Sequence, residues 1–523
     1  MNPEDWIAHD PDPVTAAELA RCGKDELAER FSHPLSFGTA GLRGPLRGGP
    51  DAMNLAVVLR ATWALARVLD ARGLAGSTVI VGRDARHGSA SFATAAAEVL
   101  AAEGFSVTLL PHPAPTPVLA FAVRLTGAAA GVQITASHNP PADNGYKVYL
   151  DGGIQIVSPT DREIENAIAA APFADEIART SVEPADSTLV EQYIDRAAGV
   201  RRSSSGPIRV ALTALHGVGG GVAVETLRRA GLTDVHTVAS QFTPDPDFPT
   251  VSFPNPEEPG ATDALLALAA DVDADVAIAL DPDADRCAVG VPTTTGWRML
   301  SGDETGWLLG DYILSQASTA NAVVASTVVS SRMLAAIAAY WGARHVETLT
   351  GFKWLARADA DLPGSTLVYA YEEAIGHCVD PAAVRDKDGI SAAVLVCDLV
   401  ATLRQSRRSV LDALDDLAQR FGVHSGAAVS RPVSDADQAA ALLRRLRATP
   451  PDRLAGFEVT TTDLLPRTDA LIFTGSDGDT TARVVVRPSG TEPKVKFYVE
   501  VRSGDRGRAD ALRDELTTTV KDW

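Results

Sequence analysis

Cysteine is scarce in this chain. The four present, Cys22, Cys287, Cys378 and Cys397, lie far apart and form no Cys-x-x-Cys pair. That argues against a disulfide framework or zinc ribbon and fits a reducing, cytoplasmic location. Positive charge is also short: 47 Lys and Arg stand against 67 Asp and Glu, a formal net charge of -20. A nucleic-acid-binding protein usually carries a basic face, so that class is disfavoured. An anionic ligand would have to be met by a few placed cations. There is no run of 18 apolar residues, and so no predicted membrane span. The opening Met1-Asn2-Pro3-Glu4-Asp5-Trp6 is acidic with no apolar run after it, which predicts no signal peptide. Low-complexity tracts and short-period repeats are missing too.

What is present is ordinary globular composition, 46% hydrophobic and 22% charged, over 523 residues. That length predicts three or four domains. Lysine is the rarest charged residue: seven Lys against 40 Arg. Five of the seven, Lys147, Lys353, Lys387, Lys494 and Lys496, fall in or beside Gly-rich loops. An ammonium that can gain and lose a proton is not interchangeable with guanidinium, so these positions are candidates for chemistry.

Short apolar strands, Gly-rich turns and Ala/Leu-rich helices alternate along the chain. Residues 78–82, 130–135, 208–212, 275–280 and 322–326 read as buried strands, with helices over 89–103 and near 333–340. This alternation predicts α/β layers, with ligands at the carboxyl ends of the strands. The last hundred residues differ. Residues 482–487 and 494–501 read as paired strands around a polar loop, before a helix near 508–520. In the second strand Val495, Phe497, Val499 and Val501 alternate with Lys494, Lys496, Tyr498 and Glu500, which predicts one buried face and one wet face. A separate α+β domain is expected from about residue 425. Residues 201–206 and 302–311 are candidate boundary segments.

Five segments carry chemistry. Thr135-Ala136-Ser137-His138-Asn139-Pro140 places a serine in a turn after a strand, beside His138 and ten residues before Lys147. Such a hydroxyl, given a base and a charge-stabilising setting, can carry a phosphoryl group, although a lone turn serine more often only caps the turn. Asp281-Pro282-Asp283-Ala284-Asp285-Arg286 offers three carboxylates which, on an extended segment, project to one side and suit a hard cation such as Mg²⁺. Arg286 beside them suggests that an anion also comes near. Arg487-Pro488-Ser489-Gly490-Thr491-Glu492-Pro493-Lys494 supplies a guanidinium fork, hydroxyls and open N–H groups suited to a phosphate dianion. Glu372-Glu373-Ala374-Ile375-Gly376, followed by Arg385-Asp386-Lys387-Asp388-Gly389, offers carboxylates for paired sugar hydroxyls, with helix-start acids as the plain alternative. Phe37-Gly38-Thr39-Ala40-Gly41-Leu42-Arg43-Gly44 is a Gly-rich arm with one arginine. Gly217-Val218-Gly219-Gly220-Gly221 lacks the third glycine of a dinucleotide fingerprint, since residue 222 is Val.

Taken together, these segments resemble the α-D-phosphohexomutase family of phosphoglucomutases and phosphomannomutases, in matching order from residue 37 to about 500. Phe37 to Gly44, Gly351-Phe352-Lys353, EEAIG and RPSGTEPK resemble the branch with bacterial phosphoglucomutases and phosphoglucomutase/phosphopentomutase enzymes. The resemblance implies three related α/β domains with mixed sheets plus a smaller C-terminal α+β domain around a central cleft, here residues 1–200, 201–305, 306–424 and 425–523. It implies that Ser137 carries the phosphoryl group and that Asp281, Asp283 and Asp285 bind Mg²⁺ with it. His138 and Lys147 match the candidates for proton transfer, with Arg43 and Arg286 beside them. Glu372 and Glu373 with Lys353 and Lys387 would meet the sugar phosphate, and Arg487, Ser489, Gly490 and Thr491 the phosphate not in transit. The implied reaction moves phosphate between O1 and O6 of a hexose, glucose first and mannose second, by way of a bisphosphorylated sugar. Glucose 1,6-bisphosphate or a similar bisphosphate would activate it, and the protein would be a monomer or homodimer. Many members have Ser where this chain has Ala374, which keeps a pentose substrate open; a phosphopentomutase or a sugar-bisphosphate synthase of the same family is the alternative reading. A metal-dependent sugar-phosphate phosphohydrolase and a non-catalytic sugar-phosphate sensor are the rival classes.

Overall fold

The computed structural model describes residues 2–38, 41–150, 152–489 and 494–523 of the 523. It divides into two compact units, Met1–Ser301 with Ala374–Gln405, and Gly302–Glu373 with Ser406–Trp523.

The first unit holds two mixed sheets. The first comprises β1 (Leu42–Pro45), β2 (Thr78–Arg83), β3 (Ser106–Leu109), β4 (Ala130–Ile134), β5 (Asp143–Leu150) and β6 (Ile154–Gln155). Their order is β1-β5-β4-β2-β3, with β6 on β5. The centre is parallel, β2 lying between β3 and β4, and β5 runs antiparallel to β4. The interior of β2 and all of β4 are buried, as continuous apolar runs covered on both faces should be. The helices Leu55–Ala71 and Ser89–Ala102 supply most of the surrounding core.

The second sheet comprises β7 (Arg209–Thr213), β8 (Asp234–Thr237), β9 (Val276–Leu280), β10 (Cys287–Thr293) and β11 (Gly296–Met299), in the order β11-β10-β9-β7-β8. Helix Gly389–Gln405 packs on β9 and β10. Residues 201–206 have no regular structure, yet they are pinned: Asp398 on that helix accepts the backbone N–H groups of Arg202 and Ser203.

Three short helices, Pro3–Ala8, Pro13–Leu19 and Lys24–Ser32, precede the first sheet and were not legible as motifs. Arg30 donates to Glu18 at 2.6 Å and to the Gly48 carbonyl at 3.0 Å, and Gly48 N–H donates to Glu18 at 3.0 Å. This clasp fastens the chain just beyond the strand that carries Arg43.

In the second unit β12 (Ala322–Thr327) lies parallel between β13 (Arg344–Thr348) and β14 (Thr366–Glu372). Strand β15 (Gly376–Cys378) belongs to the first unit, where Gly376 bridges Arg286. The C-terminal part is antiparallel: β16 (Val423–Pro432), a ribbon of β17 (Arg453–Leu454) and β18 (Phe457–Glu458), then β19 (Thr460–Asp463), β20 (Leu471–Asp477), β21 (Thr480–Pro488) and β22 (Lys494–Ser503). Its main sheet runs β16-β22-β21-β20-β19, with helix Arg506–Thr519 against β16 and β22. The architecture is the expected one: α/β with mixed sheets, followed by an α+β part. Residues 302–311, expected as a boundary segment, form the start of helix Gly302–Gln316, whose first residue opens the second unit. The wet face expected on β22 is only partly wet. Tyr498 packs on Val328, Val329, Ile472 and Val485, and Glu500 is buried. Among the described residues no single helix is long and apolar enough to cross a membrane.

Candidate active site

The first unit gathers its charges where β4 and β9 end and β5 begins. Strand β4 delivers the serine turn. Ser137 sits at φ +53°, a left-handed conformation uncommon for a side chain with a Cβ. Its N–H donates to Thr135 Oγ1 at 2.9 Å, and its Oγ donates to Asp281 Oδ2 at 2.8 Å. His138 Nδ1 lies 3.2 Å from the same Oγ.

Buried strand β9 delivers the aspartates. They do not lie on an extended segment, as alternation suggested; they occupy a turn in which Ala284 takes φ +55° and Arg286 N–H donates to Asp281 Oδ1 at 3.0 Å. The turn still converges them. All three are fully buried, with one oxygen of each within 4.8 Å of the others. Two glycines make room for it. A Cβ on Gly217 would lie 2.4 Å from Pro282 Cα, and one on Gly389 2.3 Å from the Arg286 carbonyl oxygen. The Gly217 to Gly221 turn therefore serves the aspartate loop by close approach.

Lys147 on β5 donates to Asp283 Oδ2 at 2.7 Å and Asp285 Oδ2 at 2.9 Å. Lys387 reaches the same Asp285 oxygen at 3.3 Å. With Lys353 it was expected to line the sugar and phosphate pocket; the structure sets it beside the aspartate turn of the first unit, and Lys353 in the second. Tyr149 and Gln155 hold the neighbouring Asp386 at 2.8 and 2.7 Å and so fix the Lys387 segment.

Burial, followed by repulsion from Asp283 and Asp285, pushes Asp281 well above the usual carboxylate range. Burial opposes ionisation of Asp285 as well, but Lys147, Lys387 and Arg286 outweigh it and hold its pKa below the ordinary value. Burial, then Arg286 and Arg43, push the His138 imidazole well below its ordinary pKa, which favours the neutral ring. Arg43 on β1 donates to Asn139 Oδ1 at 3.3 Å. Asp283 Oδ1 and Asp285 Oδ1 are buried with no hydrogen-bond partner. Orphaned carboxylate oxygens beside a third carboxylate are a hard-cation donor set, so the residues fit Mg²⁺.

Two contributors escaped the sequence reading. Thr116 donates its N–H to the Asp283 carbonyl at 2.9 Å and its Oγ1 to Asp283 Oδ2 at 2.6 Å. Arg86, in the loop after β2, donates to four carbonyls of the serine turn. Their only signal was position: Arg86 lies just after β2, and Thr116 opens the helix Thr116–Thr126.

The second unit holds the other candidates. Glu372 ends β14 and is buried, so it is a strand-end acid and not a helix-start one. Glu373 accepts from Thr327 Oγ1 and Ser330 Oγ, both at 3.1 Å. Lys353 lies on the short helix Phe352–Leu355, half-buried. Arg487 lies on β21 opposite Lys496, and Ser489 N–H donates to the Lys494 carbonyl at 2.8 Å. Gly490 and Thr491 lie outside the described residues. On β22, Glu500 Oε1 accepts from Ser331 Oγ at 2.5 Å and Arg332 N–H at 3.0 Å, and meets His424 Nδ1 at 2.8 Å. Burial opposes its ionisation, but His424 and the Ser331 hydrogen bond pull its pKa down to about 2. Asp303, which accepts from Ser331 N–H and Tyr371 OH, is pushed up to about 7 by burial.

Comparison with known proteins agrees with this geometry. Four phosphoglucomutase/phosphomannomutase models match in order: alpha/beta/alpha domain I over residues 34–175, domain II over 191–295, domain III over 301–421 and the C-terminal domain over 430–518. The chain is 40% identical to the protein named probable phosphomannomutase of Haemophilus influenzae, covering 90% of this chain and 97% of that one. It is 33% identical to phosphopentomutase of Homo sapiens, covering 98% and 93%. A solved phosphoglucomutase/phosphomannomutase family protein of Burkholderia thailandensis, 23% identical, shares the fold with a TM-score of 0.72 over 93% of this chain and 97% of that one. The chain belongs to the phosphoglucomutase/phosphomannomutase family, and it is a mutase of sugar phosphates.

Proposed function

We propose that the chain moves phosphate reversibly between O1 and O6 of a hexose, with Ser137 as the phosphoryl carrier. The observation that supports this most is the Ser137 hydroxyl placed 2.8 Å from Asp281 at the edge of a buried three-aspartate cluster.

In this reading Ser137 Oγ gives its phosphoryl group to the free hydroxyl of a sugar phosphate, and that hydroxyl's proton passes to the neutral His138 ring, since Lys147, held as an ammonium by Asp283 and Asp285, has no lone pair to accept it. The sugar, now phosphorylated at both ends, turns over and returns its other phosphate to Ser137. Glucose 1,6-bisphosphate therefore primes the enzyme. A phosphate on Ser137 adds roughly two negative charges beside the aspartates. Lys147, Lys387, Arg286 and Arg43 offset part of that charge. Asp281, Asp283 and Asp285 would hold Mg²⁺, which when bound neutralises charge on the group in transit. In the second unit Lys353, Glu372 and Glu373 address the sugar. Arg487, Ser489, Gly490 and Thr491 hold the phosphate that stays behind, by a guanidinium fork and N–H groups.

Glucose 1-phosphate is the first substrate proposed and mannose 1-phosphate the second. Ala374 supports a pentose as the other reading, because it offers no hydroxyl to the sugar loop and because one relative is a phosphopentomutase. The test is turnover by Ser137→Ala with Mg²⁺ and the bisphosphate. Complete loss of interconversion is expected. Undiminished phosphate release would instead support a phosphohydrolase with an aspartate nucleophile, and binding of sugar phosphate by the wild type without turnover a sensor.

A further inference from the structure

We infer that Arg86 is a positioning residue for phosphoryl transfer, holding the Ser137 peptide in the left-handed conformation that aims Oγ at Asp281. The inference rests on the phosphoserine reading above and deepens it.

Arg86 is 4% exposed, in the loop between β2 and helix Ser89–Ala102. Its Nη2 donates to the carbonyl of Ser137 and to that of Asn139, both at 2.6 Å. Its Nη1 donates to the carbonyls of Pro140 at 2.7 Å and Asp143 at 3.2 Å. One planar fork thus ties four carbonyls spread over seven residues, 137 to 143. Both terminal nitrogens are spent on backbone, so Arg86 acts on the loop and not on a ligand.

The fork is itself held. Arg86 N–H donates to Asp84 Oδ1 at 3.0 Å, and its Nε lies 3.4 Å from Asp84 Oδ2. Ser89 Oγ donates to the same Asp84 oxygen at 2.6 Å. The guanidinium carbon sits 5.0 Å from the centre of the Phe248 ring, which comes from the neighbouring sheet's loops.

The physical reason for such a clamp is the serine's backbone. A left-handed serine is disfavoured in isolation, and relaxing it to an ordinary conformation would swing Oγ off the aspartates. A carbonyl held by a buried guanidinium resists that relaxation. Lysine cannot replace it, since one ammonium cannot span the two sides of the fork. A misplacement of about 1 Å at a reacting atom costs on the order of 100-fold in rate while leaving substrate binding intact.

The test uses the full chain with Mg²⁺ and glucose 1,6-bisphosphate, and measures kcat and KM for the sugar phosphate that is turned over fastest. For Arg86→Lys a kcat lower by about 10- to 100-fold is expected, with KM within about threefold of wild type. In Arg86→Ala, guanidinium added below denaturing concentration is expected to restore part of kcat. An unchanged kcat in folded Arg86→Lys overturns the inference. So does a loss of kcat that only follows the lost folded fraction and is not rescued by guanidinium. Should both variants fail to fold, Phe248→Leu keeps the hydrogen bonds but loosens the fork. It is expected to lower kcat with KM held, and an unchanged kcat there also overturns the inference. Ser137→Ala separates the two levels: turnover by that variant removes the phosphoserine reading itself, whatever Arg86 does.

Discussion

In the first unit Lys147, Lys387, Asp281, Asp283 and Asp285 are almost wholly withdrawn from water, whereas in the second unit Glu372 is buried but Lys353, Glu373 and Arg487 are only half-buried. The buried set is pre-assembled: each lysine already meets a carboxylate, and two carboxylate oxygens are left without a hydrogen-bond partner. The half-buried set is spread over a short helix and the ends of two strands. A reacting centre gains from fixed charges in a dry site, because they need no reorganisation when charge moves. In the proposed mechanism, a grip that takes one end of a sugar bisphosphate, releases it and takes the other would gain from solvation. The contrast predicts that changes in the first unit act on kcat and changes in the second on KM or on stability.

The largest effect is expected at the aspartates. Asp285→Asn removes a partner of both Lys147 and Lys387. It should lower kcat on the order of 10³-fold and raise the Mg²⁺ concentration needed for half activity, as steady-state titration would show. An effect confined to KM would break the contrast. Next comes Arg487→Met, which removes a charged fork worth about 1.5–3 kcal/mol per hydrogen bond to charge. KM for the sugar phosphate should rise about 10- to 100-fold with kcat within a few-fold.

A smaller effect is expected at Glu500, whose carboxylate joins Ser331, Arg332 and His424. Glu500→Gln should cost about 1–3 kcal/mol of stability, read from denaturant unfolding, with kcat of the folded fraction unchanged. Its pKa lies below the unfolded value, so its stabilisation is full above about pH 4.5 and is lost as pH falls towards about 2. The variant should flatten that part of the acid-unfolding curve. The smallest effect is at Ala374→Ser, where one neutral hydrogen bond is worth about 1 kcal/mol. Relative kcat/KM for hexose against pentose should shift by about fivefold towards hexose. No shift would mean that the position does not meet the sugar.

Much of this was legible before the structure, for a physical reason. Strands such as β2 and β9 have continuous apolar interiors, and a run buried on both faces can be read without knowing its neighbours. The serine turn and the aspartate turn were legible because their chemistry is contiguous in the chain. Arg86 and Thr116 were not, because their partners lie about 50 and 167 residues away and nothing in a lone Arg or Thr announces that. The aspartates were expected on an extended segment; the left-handed Ala284 that turns them has no side-chain signature. The approach of Lys387 to Asp285 was not legible, because the two lie about 100 residues apart and nothing in the Lys387 loop names its partner. The wet face of β22 was half wrong because alternation shows which residues share a face, not what later covers it.

The central claim is that the buried cluster of the first unit transfers phosphate through Ser137 and returns it to the sugar. Phosphorus NMR of the purified chain with Mg²⁺ and a trace of glucose 1,6-bisphosphate tests it most directly, with glucose 1-phosphate, mannose 1-phosphate and ribose 1-phosphate supplied in parallel. The account predicts conversion to the 6- or 5-phosphate with no free phosphate, abolished in Ser137→Ala. Steady release of inorganic phosphate, or conversion that survives Ser137→Ala, would contradict it.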